Sequence, residues 1–160
     1  MSEDTKAKLD GLLIDAMNAE VKAREFYTDA AQKAASGAGK NLFKELADFE
    51  QGHYDRLKKI IEARTKGMKI ETPSAEEIPV KSEVEGEFEP NKDEITKVLT
   101  IGIEAEKKAQ AKYLEIANIF EDAESKNIFN NMAEEERKHQ KILEDQFFHM
   151  SNKGRIIWGD

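Results

Sequence analysis

Glu50-Gln51-Gly52-His53 and Glu136-Arg137-Lys138-His139 are one four-residue word, Glu-x-x-His, written twice. A glutamate stands 30 residues ahead of each copy, Glu20 before Glu50 and Glu106 before Glu136. Every position recurs at a single offset of 86 residues. Glu and His three apart share one helical face, so both can reach a single ion. Four carboxylates and two imidazoles in a two-fold repeat are the donor set of a paired-metal site inside a four-helix bundle.

The repeat runs well beyond these six residues. At the same offset Ala19 matches Ala105, Tyr27 matches Tyr113, Lys40-Asn41 matches Lys126-Asn127, Phe43 matches Phe129, Ala47 matches Ala133 and Leu57 matches Leu143. Two helical hairpins of one design, related by a pseudo-two-fold, are the simplest reading. The spacing predicts helices over about 5–35, 40–65, 91–120 and 123–153. Leu9, Leu13, Ala16, Glu20, Ala23, Tyr27, Ala31 and Ala34 step by three or four along the first. Phe43, Leu46, Glu50, His53, Leu57 and Ile60 do so along the second. Val98 or Leu99, Ile103, Glu106, Ala109, Tyr113, Ala117 and Phe120 line the third; Phe129, Met132, Glu136, His139, Leu143 and Gln146 line the fourth. The glutamates and histidines occupy seam positions where a bundle normally places Leu or Ile. Ser36-Gly37-Ala38-Gly39 reads as a tight connection, and Asn91 with Glu94 resembles a capping box.

Residues 67–91 have a different character. They hold all three prolines (Pro73, Pro79, Pro90), Gly67, Gly86 and the stretch Ile78-Pro79-Val80. Helices of ~27 residues rise about 40 Å, and ~25 extended residues reach roughly 80 Å. This connection can therefore cross the full height of the bundle and set the second and third helices parallel. The expected organisation is an all-α four-helix domain over 1–154, with its crossover at 67–91 and an apolar tail at 155–160.

In an antiparallel hairpin, residues equidistant from the turn lie side by side. The midpoint between Glu20 and the centre of Glu50–His53 falls at Ser36, and that between Glu106 and Glu136–His139 falls at Asp122. All six donors thus belong to one layer halfway along the helices. Four buried carboxylates at one height repel and cannot all stay ionised in a dry core. The layer becomes neutral only with two divalent cations or with most of its protons retained. Carboxylate and imidazole donors suit Fe, Mn or Zn. Tyr27 and Tyr113 lie two turns beyond Glu20 and Glu106 on the same stripes. Each hydroxyl either hydrogen-bonds a ligand carboxylate or belongs to a core aromatic satisfied elsewhere.

Composition narrows the function classes. The formal charge of −8 disfavours nucleic acid. With no cysteine, thiolate and iron–sulfur centres are excluded from this chain. No apolar run approaches the roughly 20 residues of a membrane span, and the acidic N-terminus has no apolar signal core. A cytoplasmic location is expected. A single Glu-x-x-His on so charged a chain reads as a surface ion pair; the doubled motif on an apolar seam does not. His149 reads as a surface or interface residue, Trp158 as a packing anchor, and Glu25, Glu115 and Glu134-Glu135 as solvated.

On Glu20, Glu50-x-x-His53, Glu106, Glu136-x-x-His139, Tyr27 and the long crossover, the chain resembles the ferritin-like di-iron carboxylate superfamily, and within it the rubrerythrin-like branch. The resemblance covers about residues 8–148. It implies that Glu50 and Glu136 bridge two irons, that Glu20 and Glu106 are outer carboxylates, and that His53 and His139 each bind one iron. It implies a di-iron oxidoreductase that reacts with peroxide or dioxygen, is re-reduced by an external electron donor, and pairs as a homodimer. Ferroxidase or iron storage activity is the alternative, and a metal-free structural bundle the second. Two departures stand out. Rubrerythrins proper carry a four-cysteine rubredoxin domain, for which this chain has no cysteines. They also carry a further acidic ligand on the third helix, where the neighbouring seam positions here are Ile103 and Ala109.

Overall fold

The computed structural model describes residues 1–70 and 85–159. Four helices carry the chain: α1 Glu3–Lys33, α2 Gly37–Thr65, α3 Lys92–Ile119 and α4 Ala123–Lys153. Two short strands, β1 Glu87–Phe88 and β2 Arg155–Ile156, pair antiparallel, Glu87 opposite Ile156 and Phe88 opposite Arg155. The ferritin-like all-α architecture is therefore present, and the two-residue strands only fasten its ends.

Both hairpins close in the same way. Ala34 and Phe120, one repeat apart, leave their helices in extended backbone (φ −65°, ψ 135° and φ −62°, ψ 141°). Two residues later Ser36 and Asp122 cap the next helix. The Ser36 hydroxyl accepts from the Gly39 N–H at 3.0 Å, and the Asp122 carboxylate from the Ser125 N–H at 2.9 Å. Each side chain satisfies a donor that the first helical turn leaves unpaired. Gly37-Ala38-Gly39 therefore opens α2 rather than forming the expected connection.

Contacts between helices fix their directions. Arg24 meets Gln51 and Arg64 meets Asp10, so α1 and α2 are antiparallel. Tyr27 reaches Glu106 while Tyr113 reaches Glu20, so α1 and α3 are antiparallel too. It follows that α2 and α3 run parallel, the arrangement the crossover was expected to permit. Residues 71–84, which hold Pro73, Pro79 and the Ile78–Val80 stretch, lie outside the described residues.

The crossover's last residues are bound by Glu89, which is fully buried. Its carboxylate accepts from the Ala35 N–H (2.9 Å), the Ser36 N–H (3.1 Å), the Ser36 hydroxyl (2.7 Å) and the Asn91 N–H (3.1 Å). One anion thus sits at the start of two parallel helices, where both dipoles favour it. Burial pushes the Glu89 carboxyl up, but these hydrogen bonds outweigh it and hold it below its usual range. The close fit explains Gly39: a Cβ there would lie 2.9 Å from Glu89 Oε1. The expected capping box does not form, because Asn91 makes no side-chain cap; its amide donates instead to the Lys33 carbonyl at 2.7 Å. The tail packs on the bundle. Gln146 bonds both the N–H and the carbonyl of Ile157, Ile156 is fully buried, and the Trp158 indole donates to Glu45. Gly86, at φ +73°, lets the crossover pass under this tail, where a Cβ would meet the Ile156 carbonyl oxygen at 2.1 Å.

Two apolar clusters fill the bundle. One gathers Leu42, Phe43, Leu46, Leu99, Leu143 and Met150 around the α1–α2 turn end. The other gathers Leu9, Leu13, Leu57, Ile116, Phe129 and Met132 at the opposite end. On every helix the predicted donors fall between the two.

Candidate metal centre

The six predicted donors meet in that gap. Glu20, Glu50, His53, Glu106, Glu136 and His139 are at most 3% exposed. Their donor atoms form two overlapping groups, Glu20–Glu50–His53–Glu136 and Glu50–Glu106–Glu136–His139, each with all atoms within 4.8 Å of one another. Glu50 and Glu136 belong to both. His53 Nδ1 lies 2.9 Å from Glu136 and 3.4 Å from Glu20. His139 Nδ1 lies 3.1 Å from Glu50, 3.4 Å from Glu136 and 3.6 Å from Glu106. The two imidazoles stack at 6.1 Å, 20° from parallel.

Whether a cation suits this layer is tested by its unsatisfied atoms. Glu20 Oε2, Glu50 Oε1, His53 Nδ1, Glu106 Oε2, Glu136 Oε1 and His139 Nδ1 are buried without a hydrogen-bond partner among the described residues. Each of the six residues thus contributes at least one such atom. Orphaned buried acceptors are rare in folded proteins, and two overlapping sets of carboxylate and imidazole atoms are what divalent cations take as ligands.

The tyrosines tie the halves together. The Tyr27 hydroxyl donates to Glu106 at 2.6 Å, and the Tyr113 hydroxyl donates to Glu20. Each tyrosine therefore orients the outer glutamate of the opposite hairpin, not its own. Burial, then the facing carboxylates, raises both phenols well above their ordinary range and keeps them as neutral donors.

Without a cation the layer holds protons. Burial, then Glu136, Glu20 and Glu106, pushes Glu50 well up. Burial, then Glu136, pushes Glu106 up to about 8. Burial opposes charge on His53 and His139, but the surrounding carboxylates outweigh it and raise both. Burial also opposes charge on Glu136, yet the two imidazoles hold it below its usual range. The pH dependence follows. Over most of the range from pH 6.5 to 8 the folded, metal-free protein keeps a proton on Glu106 that the unfolded chain has released, and Glu50 and both histidines are raised in the same direction, while Glu136 is ionised in both states. Stability must then fall as pH rises, by about 2 kcal/mol per retained proton across this window. Thermal unfolding of metal-free protein should show Tm dropping by about 5 °C or more from pH 6.5 to 8. A flat or rising Tm would contradict it.

One expectation is corrected. Glu135 is not solvated; it is 7% exposed and lies 2.7 Å from His53 Nε2 and 3.0 Å from the Arg56 guanidinium. Burial raises this carboxyl, but the hydrogen bonds from His53 and Arg56 outweigh that and keep it ionised, so the ring nitrogen donates. The repeat carried the signal. Glu135 and Arg56 correspond at the 86-residue offset to Phe49 and Ile142, apolar residues that mark both positions as inward-facing. His149 is half-buried, its ring in T-shaped contact with Phe148. Among the described residues no helix is long and apolar enough to cross a membrane.

Comparison with known proteins agrees with this geometry. A solved structure of a hypothetical protein from Pyrococcus furiosus is similar, with 28% identity, 90% of each chain covered and a TM-score of 0.72. Among curated proteins none matches. The sequence model of the rubrerythrin family matches residues 11–145. Such a match across all four helices, around buried carboxylates and imidazoles compatible with metal binding, places this chain in the rubrerythrin family of di-iron carboxylate proteins.

Proposed function

We propose that the layer holds two iron ions and that the protein is an oxidoreductase reducing peroxide or dioxygen with electrons from an external donor. The observation that supports this reading is the set of six unpaired donor atoms, one from each ligand residue, in two groups that share Glu50 and Glu136. Glu50 and Glu136, common to both groups, would serve both ions, Glu20 and Glu106 would each serve as an outer carboxylate, and His53 and His139 would each serve one ion. When bound, two ferrous ions supply the two electrons that take peroxide, with two protons, to water.

The chain's own residues set the conditions for that chemistry. Tyr27 and Tyr113 hold Glu106 and Glu20 in orientation through their hydroxyl protons. The apolar clusters on either side of the layer exclude bulk water and strengthen every electrostatic contact within it. Ile103 and Ala109 offer no further acid from α3, so the donor set stays symmetric between the hairpins. A homodimer in the cytoplasm, using a separate redox protein as donor, completes the proposal.

The test mixes anaerobic Fe(II)-loaded protein with peroxide and then adds a reductant. Oxidation faster than that of free Fe(II), repeated after each re-reduction, is expected. A rate equal to free Fe(II) would reject the reading. A single oxidation followed by iron accumulating beyond two per chain would replace it with iron sequestration.

A further inference from the structure

The two halves of the layer differ behind their histidines. Both rings turn Nδ1 towards the carboxylates, which leaves Nε2 on the outer side. Behind His53, Nε2 meets the Glu135 carboxylate at 2.7 Å, and Arg56 holds that carboxylate from its other oxygen at 3.0 Å. Behind His139, the equivalent positions are Phe49 and Ile142. The Phe49 ring and the imidazole pack in a T-shape, with centroids 5.2 Å apart and planes at 68°. His139 Nε2 is buried and has no hydrogen-bond partner among the described residues.

We infer that Glu135, positioned by Arg56, makes the two cation positions unequal: the one served by His53 binds tightly, and the one served by His139 is weaker and exchangeable. This rests on the metal layer proposed above. An imidazole that gives its Nδ1 lone pair to a cation must carry its proton on Nε2. At His53 that proton has a carboxylate to receive it, which fixes the tautomer and makes Nδ1 a stronger donor. At His139 the same tautomer leaves a buried N–H with no hydrogen-bond acceptor among the described residues, on an imidazole packed against Phe49. Losing such an outer partner changes metal affinity by about 10- to 100-fold. Glu135 is a positioning residue in this account, acting through His53.

The experiment titrates metal-free protein with cobalt(II) against a chromophoric chelator and follows the visible cobalt spectrum. Two equivalents are expected in separate steps. Repulsion between two cations separates the steps even in an equivalent pair, so the decisive result is which step a substitution moves. Glu135→Gln should weaken the first step about tenfold or more and leave the second in place, with thermal unfolding of the metal-free variant confirming its fold. Installing the missing pair at the other half, Phe49→Glu with Ile142→Arg, should tighten the second step towards the first. Equal weakening of both steps by Glu135→Gln, or no effect on either, would overturn the inference while leaving the metal layer intact. Failure to bind any cobalt would overturn both.

Discussion

Replacing Glu50 and Glu136 together with Gln should abolish metal uptake while leaving the metal-free bundle at least as stable as the wild type. These are the two carboxylates common to both donor groups, so their loss would take negative charge from both proposed cation positions at once. Affinity is expected to fall by at least ~100-fold, beyond the effect of losing an outer partner. The fold should survive for an electrostatic reason. Burial and the neighbouring carboxylates already favour the protonated form of Glu50 without a cation, and Gln closely matches the shape of that neutral form. Glu136 is ionised, but only because two buried imidazoles are charged beside it. Once it is neutral, charge on both rings is less favoured, and the interior sheds part of an ionic cluster that is expensive to desolvate. Metal content after dialysis and thermal unfolding in the presence of chelator measure the two halves of this statement; chelator is needed because bound metal would itself raise Tm. A double variant still carrying two metals per chain would refute the ligand assignment. One that unfolds without metal would show that the carboxylates hold the bundle together.

Glu89→Ala should destabilise the protein by about 3 kcal/mol, lowering Tm by roughly 6–12 °C. The substitution removes one anion and leaves donors at Ala35, Ser36 and Asn91 without it, at the starts of two helices whose dipoles it complements. It also frees the end of the crossover from the α1–α2 turn. Glu89→Gln, which keeps one acceptor oxygen and loses the charge, should recover part of the deficit. The pH signature has a definite sign. A carboxyl whose folded pKa is depressed stabilises above its unfolded pKa, and that contribution disappears as pH falls through the folded value. The gap between wild type and Glu89→Ala should therefore be full at neutral pH and close as pH drops below the ordinary carboxyl value of 4.5. Urea unfolding at neutral and acidic pH checks this. A gap independent of pH would mean that Glu89 acts through packing and not through its charge.

The layer of six donor residues was readable in the sequence because its signals are local and repeated. Glu20, Glu50, His53, Glu106, Glu136 and His139 stand on apolar seams, where a polar residue is conspicuous, and the duplication supplies an internal check. What escaped notice depends on contacts across elements. Glu135 sits beside a seam residue and looks solvated until Arg56 from α2 is placed against it. Glu89 lies in a proline-bearing connection, and nothing near it reveals that it will cap a turn more than 50 residues away. The tyrosines are an intermediate case. Their stripe was evident, but the antiparallel packing of α1 on α3 decides that each reaches the opposite hairpin. Asn91-x-x-Glu94 shows the converse, a local motif set aside because Glu89 already takes the Asn91 N–H.

The matched hairpins have one more consequence, and it concerns heredity. Two copies of a single hairpin, assembled as a true dimer, would have to place the same residue behind both imidazoles, since one codon would write each position twice. Joining the halves in one gene removes that bond. Positions 49 and 135 now hold Phe and Glu, and positions 56 and 142 hold Arg and Ile. Tandem duplication lets natural selection act on each half alone, a freedom that self-assembly from identical parts denies.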